Sequence, residues 1–141
     1  MIGTKSLLVM LLVVSPVIAA SGRKEVSYEK DIQPILQANC AMCHVPNGVG
    51  YTTSGFSVQT YDTVMKGTKY GPIVNPGSSV SSNLVWVLEH RADHTINMPK
   101  VCEQAAPGNG KCIRASQAAR ILSGKELTWI IEWIDEGAKN N

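Results

Sequence analysis

The sequence predicts an all-α domain: about four short helices joined by long loops. Three observations point there. Apolar residues recur at helical spacing in several segments, and capping residues flank them. No stretch alternates apolar and polar residues convincingly enough for a half-buried strand. Between the periodic segments the chain is rich in Gly, Pro, Ser, Thr and Asn, the residues of turns.

In order along the chain, "MIGTKSLLVMLLVVSPVIAA" comes first. Lys5 is its single charge, Leu7 to Val14 is apolar, Pro16 breaks the run, and Ala19–Ala20 offers a small-residue end. That is the layout of a secretory signal peptide. The apolar core is far shorter than the roughly 20 residues a spanning helix needs. Cleavage is expected near Ala20, giving a signal peptide over 1–20 and one exported domain over 21–141, periplasmic or otherwise outside the cytoplasm, with no stable membrane span.

"VSYEKDIQPILQANC" carries Val26, Ile32, Ile35, Leu36 and Cys40 at helix-like spacing. Pro34 should kink this helix or make it restart. Residues 45–57 read as loop. "TYDTVMKG" reads as a short helix capped by Thr60 and closed by Gly67. "GPIVNPGSS" is loop, and "SSVSSNLVWVLEHR" a helix with a choice of serine caps. "ADHTINMPKVCEQAAPGNGKC" is polar and turn-rich. The last helix is the plainest: Ser123 and Glu126 form a capping box and Gly137 a C-cap. Leu127, Ile130, Ile131 and Ile134 make one apolar face, and Trp129 and Trp133 a second stripe expected to be core.

The 141 residues suit one domain, and a hydrophobic share of 44% suffices for a core. A charged share of 17% and a net charge of +2 exclude a disordered chain and give no footprint for nucleic acid. Loops this long in a small domain call for something to wrap around.

"CAMCH" at 40–44 holds the chemistry. Cys40, Cys43 and His44 at this spacing fit zinc, a redox dithiol or covalent haem attachment. Zinc wants four ligands. Cys102 and Cys112 do not form a second C-x-x-C, so His90 or His94 would have to complete the set. A redox dithiol begins a helix after a strand, whereas these cysteines follow a helical pattern. Haem remains: two thiols add across two vinyl groups, and the adjoining histidine becomes the proximal iron ligand.

The chain resembles monohaem c-type cytochromes, and is most similar to the planctomycete-type modules. The likeness runs through "YEKDIQPILQANCAMCH", "GFSVQTYDTVMKG", "GPIVNPGSSVSSNLVWVL", "NMPK" and "LSGKELTWIIEWIDEGA". The stretch "VCEQAAPGNGKCIRASQAARI" is longer than the family pattern. The resemblance implies a cytochrome c-like fold wrapped around one covalent haem c. It implies Met98 as the distal ligand, since the loop Met before a Pro fills that place in the family. The residues alone leave Met42, Met65, His90 and His94 in view, with His94 the runner-up. Met42 is tethered between the cysteines, Met65 reads as core, and His90 reads as a surface or capping histidine. Gly71-Pro72-Ile73 resembles the proximal loop of small cytochromes c, which implies that Pro72 C=O accepts from His44 Nδ1–H; a plain turn is the other reading.

The implied function is single-electron transfer between redox partner proteins, without enzymatic activity. The alternative is a small peroxidase-like haem enzyme in which Met98 is displaced. Export also predicts a disulfide between Cys102 and Cys112, pinning the segment after Met98.

Overall fold

The computed structural model describes residues 24–102, 112–114 and 122–141. The first helical stretch opens as one π-helical turn, Tyr28–Ile32, and continues as α1, Gln33–Cys40. Pro34 lies in the first turn of α1. It has no N–H and its ring crowds the carbonyl four residues back, so the wider turn upstream absorbs the mismatch. This is the interruption expected at Pro34. Ser27 starts the stretch: its Oγ accepts from Lys30 N–H at 3.3 Å, and Asp31 Oδ2 accepts from Ser27 N–H at 2.9 Å. Ile32, Ile35 and Leu36 are buried, and Cys40 is carried at the helix end.

Four further helices follow: α2 (Val49–Ser54), α3 (Tyr61–Lys66), α4 (Asn83–Leu88) and α5 (Gly124–Asp135). α3 has Thr60 and Thr63 in reciprocal capping bonds and ends at Gly67, φ 80°. α5 has the Ser123–Glu126 capping box. It ends with Gly137 N–H donating to Ile134 O at 3.0 Å and Ala138 N–H to Trp133 O at 2.8 Å. Gly137, at φ 102°, is the residue that permits this ending. Ser82 stands at the N-cap of α4 without capping it. Its Oγ donates to Ser78 O at 2.9 Å and accepts from Asn75 N–H at 2.8 Å, so it fastens the preceding loop.

α5 packs against the π-helical turn and against α4. Ile130, Trp133 and Ile134 are buried, while Leu127 and Ile131 are half-buried. Trp133 is core as expected, its ring 5.5 Å from that of Tyr28, which meets Tyr61 edge-on at 5.1 Å. Trp129 is half-buried beneath the Lys125 ammonium, 4.5 Å from its ring centre. The C-terminus closes onto the first turn: Asn141 O accepts from Ser27 Oγ at 2.7 Å, and Asn141 Oδ1 from Tyr28 N–H at 2.9 Å.

The chain is helical, as expected, with two additions. Residues 45–57, loop by composition, contain α2. Gly, Thr and Ser are poor helix formers, and the Thr and Ser hydroxyls bond back to the preceding turn instead of supporting it. Thr52 Oγ1, Thr53 Oγ1 and Ser54 Oγ donate to the carbonyls of Gly48, Val49 and Gly50 at 3.0, 2.8 and 2.7 Å. The second addition is an antiparallel ribbon of β1 (Lys100–Cys102) and β2 (Cys112–Arg114), in which Cys102 stands opposite Cys112. Such short strands show no alternation to read. The expected signal segment, 1–20, lies outside the described residues, and the expected Cys102–Cys112 bond lies outside the described side chains. Among the described residues no helix is long and apolar enough to cross a membrane.

Candidate functional site

α1 ends at Cys40, and the chain keeps turning. Cys43 N–H and His44 N–H both donate to Cys40 O, at 3.1 and 2.9 Å. One tight turn therefore carries Cys40, Cys43 and His44. Asn47, at φ 72°, then reverses the chain so that α2 lies back over this turn. Tyr51 N–H donates to Cys43 O at 2.9 Å. Gly48 and Gly50 make the approach possible. A Cβ on Gly48 would strike Cys43 O, and one on Gly50 would lie 2.7 Å from His44 Cε1 and 2.9 Å from His44 Nε2.

Behind the turn runs the segment after α2. Val58 N–H donates to His44 O at 2.9 Å, and Gln37 Nε2 donates to Val58 O at 2.7 Å. This pairing brings Phe56 beside the histidine: His44 Nδ1 lies 3.3 Å from Phe56 O, and the two rings meet edge to face at 5.2 Å. A carbonyl only accepts, so Nδ1 carries the proton and Nε2 keeps its lone pair. Burial lowers the His44 pKa, with the Phe56 bond acting the other way. The neutral imidazole is the ligating form.

The bond expected from Pro72 is thus made by Phe56. Pro72 is exposed, and its Cα packs against Gly67, 2.7 Å from where a Cβ would stand there. Residues 68–71 close their own turn, with Thr68 N–H donating to Gly71 O at 2.9 Å. Register decides the matter: the backbone partner of residues 43–44 is the stretch 51–58.

Burial first, and Cys43 second, push the Cys40 thiol up to about 12. Cys40 also lies at the carbonyl end of α1, where the helix dipole disfavours an anion. A redox dithiol needs the opposite: a depressed pKa at a helix N-terminus. Among the described residues, no three His, Cys, Asp or Glu side chains converge as they would around a metal ion, so the zinc set imagined with His90 or His94 does not form.

Met98 sits after α4, half-buried. Its N–H donates to Val87 O at 3.0 Å, and its C=O lies 2.9 Å from His90 Nε2. Among the described residues, the buried Oδ1 of Asn97 beside it has no hydrogen-bond partner. Such atoms are rare in folded proteins. His94 is exposed, with Nδ1 3.7 Å from Asp93 Oδ1. Met65 packs against the core, and Met42 is exposed. Sequence reasoning missed Phe56, Gly48, Gly50 and the His90 contact. Only the two glycines, spaced around Val49 and close to the cysteines, left a trace.

A family model described as planctomycete cytochrome C matches residues 40–101. The chain is also similar to hydrazine synthase subunit alpha of Kuenenia stuttgartiensis, at 30% identity over 133 residues, covering 83% of this chain. A solved structure of Kuenenia stuttgartiensis hydrazine synthase matches with a TM-score of 0.50 and 27% identity, over 80% of this chain. The chain spans 16% of the length of that curated relative, and 16% of that solved chain. The match begins at Cys40, takes in the cysteine–histidine turn and runs past Met98, and haem c binding is what these relations imply. Over residues 40–101, then, the chain matches the planctomycete cytochrome C family.

Proposed function

We propose that the protein is an exported carrier of single electrons, with one haem c bound covalently at the Cys40–His44 turn. The observation that carries this reading is the orientation of His44: Nδ1 is engaged by Phe56 O at 3.3 Å, which reserves Nε2 for iron. Gly50 supports it, because a side chain there would crowd that same nitrogen. In this reading Cys40 and Cys43 hold the porphyrin by thioether bonds, His44 Nε2 is the proximal ligand and Met98 the distal one. A haem held this way supplies a one-electron Fe(III)/Fe(II) couple, raised in potential by the soft sulfur. The protein's part is to fix the imidazole, keep its tautomer and present the thioether. Partners are redox proteins that donate and accept electrons. The ribbon register, Cys102 opposite Cys112, supports a disulfide that ties the distal segment.

The test is the visible spectrum of the purified protein, oxidised and reduced, with and without carbon monoxide. Covalent haem resists acid–acetone extraction, and intact mass shows one haem added. Failure of reduced protein to bind carbon monoxide supports a closed iron and electron transfer. Ready binding supports the second reading, a haem enzyme with a displaceable Met98. That reading draws on the relative named as a synthase subunit.

A further inference from the structure

The last turn of α4 grips the Met98 backbone twice. Val87 O accepts the Met98 N–H at 3.0 Å, and His90 Nε2 lies 2.9 Å from Met98 O. The acceptor is a carbonyl, so the His90 proton sits on Nε2. Val87 O is a terminal carbonyl of α4 that only the closing turn bonds, through His90 N–H at 3.3 Å, and the Met98 N–H gives it a shorter second bond.

His90 occupies an unusual conformation for this work. α4 closes with Arg91 N–H donating to Trp86 O at 2.9 Å and His90 N–H to Val87 O at 3.3 Å. The residue between these bonds must be left-handed, and His90 has φ 58°. Glycine is the ordinary occupant, because a Cβ is penalised there. Glycine would close α4 with the same two backbone bonds and less strain. It cannot supply the imidazole that reaches Met98.

We propose that His90 is a positioning residue for the distal ligand. Its Nε2–H, acting with Val87 C=O, clamps the Met98 backbone and holds the thioether at the iron. The proposal rests on reading Met98 as that ligand. A tethered ligand competes with free ones through its effective concentration, which falls as its tether loosens. Opening the clamp therefore favours any outside ligand.

The experiment titrates imidazole into the ferric holoprotein and follows the shift of the haem Soret band, which reads binding in every variant, Met98→Ala included. His90→Gly relieves the strain and removes the clamp. It should melt at the same temperature or higher, yet bind imidazole about threefold to tenfold more tightly, the weight of one hydrogen bond. His90→Gln keeps the strain and places an amide N–H near the lost Nε2–H, so it should restore wild-type affinity. Met98→Ala is the reference. If it tightens imidazole binding while His90→Gly does not, the clamp is wrong and the ligand assignment stands. If Met98→Ala changes nothing, both are wrong. A Gln variant that behaves like Gly also overturns the hydrogen-bond role.

Discussion

His44 shows how much one side chain depends on its neighbours. Its ring is oriented by Phe56 O on one nitrogen and bordered by Gly50 on the other. Glycine to alanine inside an exposed helix usually gains up to about 1 kcal/mol. At position 50 the added Cβ would stand 2.7 Å from His44 Cε1, and overpacking of that kind costs about 1–3 kcal/mol. Overpacking wins, so Gly50→Ala should lower the melting temperature and shift the haem potential. A thermal scan and a redox titration check both. Met98 and Met65 separate equally sharply. Met98→His should keep a six-coordinate spectrum and lower the potential, since a second imidazole favours Fe(II) less than a thioether does. Met65→Leu should leave the potential alone, because Met65 packs against the core and the swap conserves volume. Redox titration of both variants against wild type decides.

Among the elements, α2 and the β1–β2 ribbon were the least legible. α2 contains Gly50, Thr52, Thr53 and Ser54, whose intrinsic preference is against helix. Its hydroxyls bond back to carbonyls four residues earlier, and its N-terminal end is pressed onto Cys43 and His44. The hydroxyl bonds are local, but the packing of Gly48 and Gly50 onto Cys43 and His44 lies outside the helix's own repeat, so propensity and periodicity could not announce it. α3 and α5 were legible because their caps are local: Thr60 with Thr63, and Ser123 with Glu126. The ribbon adds a prediction. With Cys102 opposite Cys112, peptide mapping without reduction should recover the two as one linked fragment. Replacing both by Ser should lower stability by about 3 kcal/mol on the chain-entropy estimate, without preventing haem attachment. Alkylation of both thiols in the untreated protein would refute the bond.

At the scale of the whole molecule, the C-terminal residues meet the first described helical turn around Tyr28. Its ring lies between Tyr61 and Trp133, and among the described residues the buried phenol oxygen has no hydrogen-bond partner. Burial, and then Tyr61, push its pKa from 10.0 up to about 12. A raised folded-state pKa means that the fold favours the protonated phenol. The stability it contributes is full below pH 10.0 and is lost as pH rises through about 12. Tyr28→Phe should abolish that alkaline loss. It should also raise stability at neutral pH by about 1 kcal/mol, because an unpaired buried hydroxyl is removed. Denaturant titrations of both proteins at neutral pH and across the alkaline range test the pair of effects. An unchanged alkaline profile would show that another group carries it.

The sequence by itself determined the helical class, the interruption of the first helix at Pro34, the caps of α3 and α5, and the choice of Cys40, Cys43 and His44 as the candidate site. These are short-range matters: residue type, spacing and the nearest few neighbours settle them. Tertiary structure alone decided the partner of His44 Nδ1. Pro72 and Phe56 both offer a carbonyl, and only the pairing of residues 43–44 with 51–58 chooses Phe56. It decided likewise that His90, which reads along the chain as a surface or capping residue, turns its imidazole to the Met98 carbonyl. A left-handed backbone at a helix end aims that ring, and its target lies eight residues further on, beyond the reach of any local pattern.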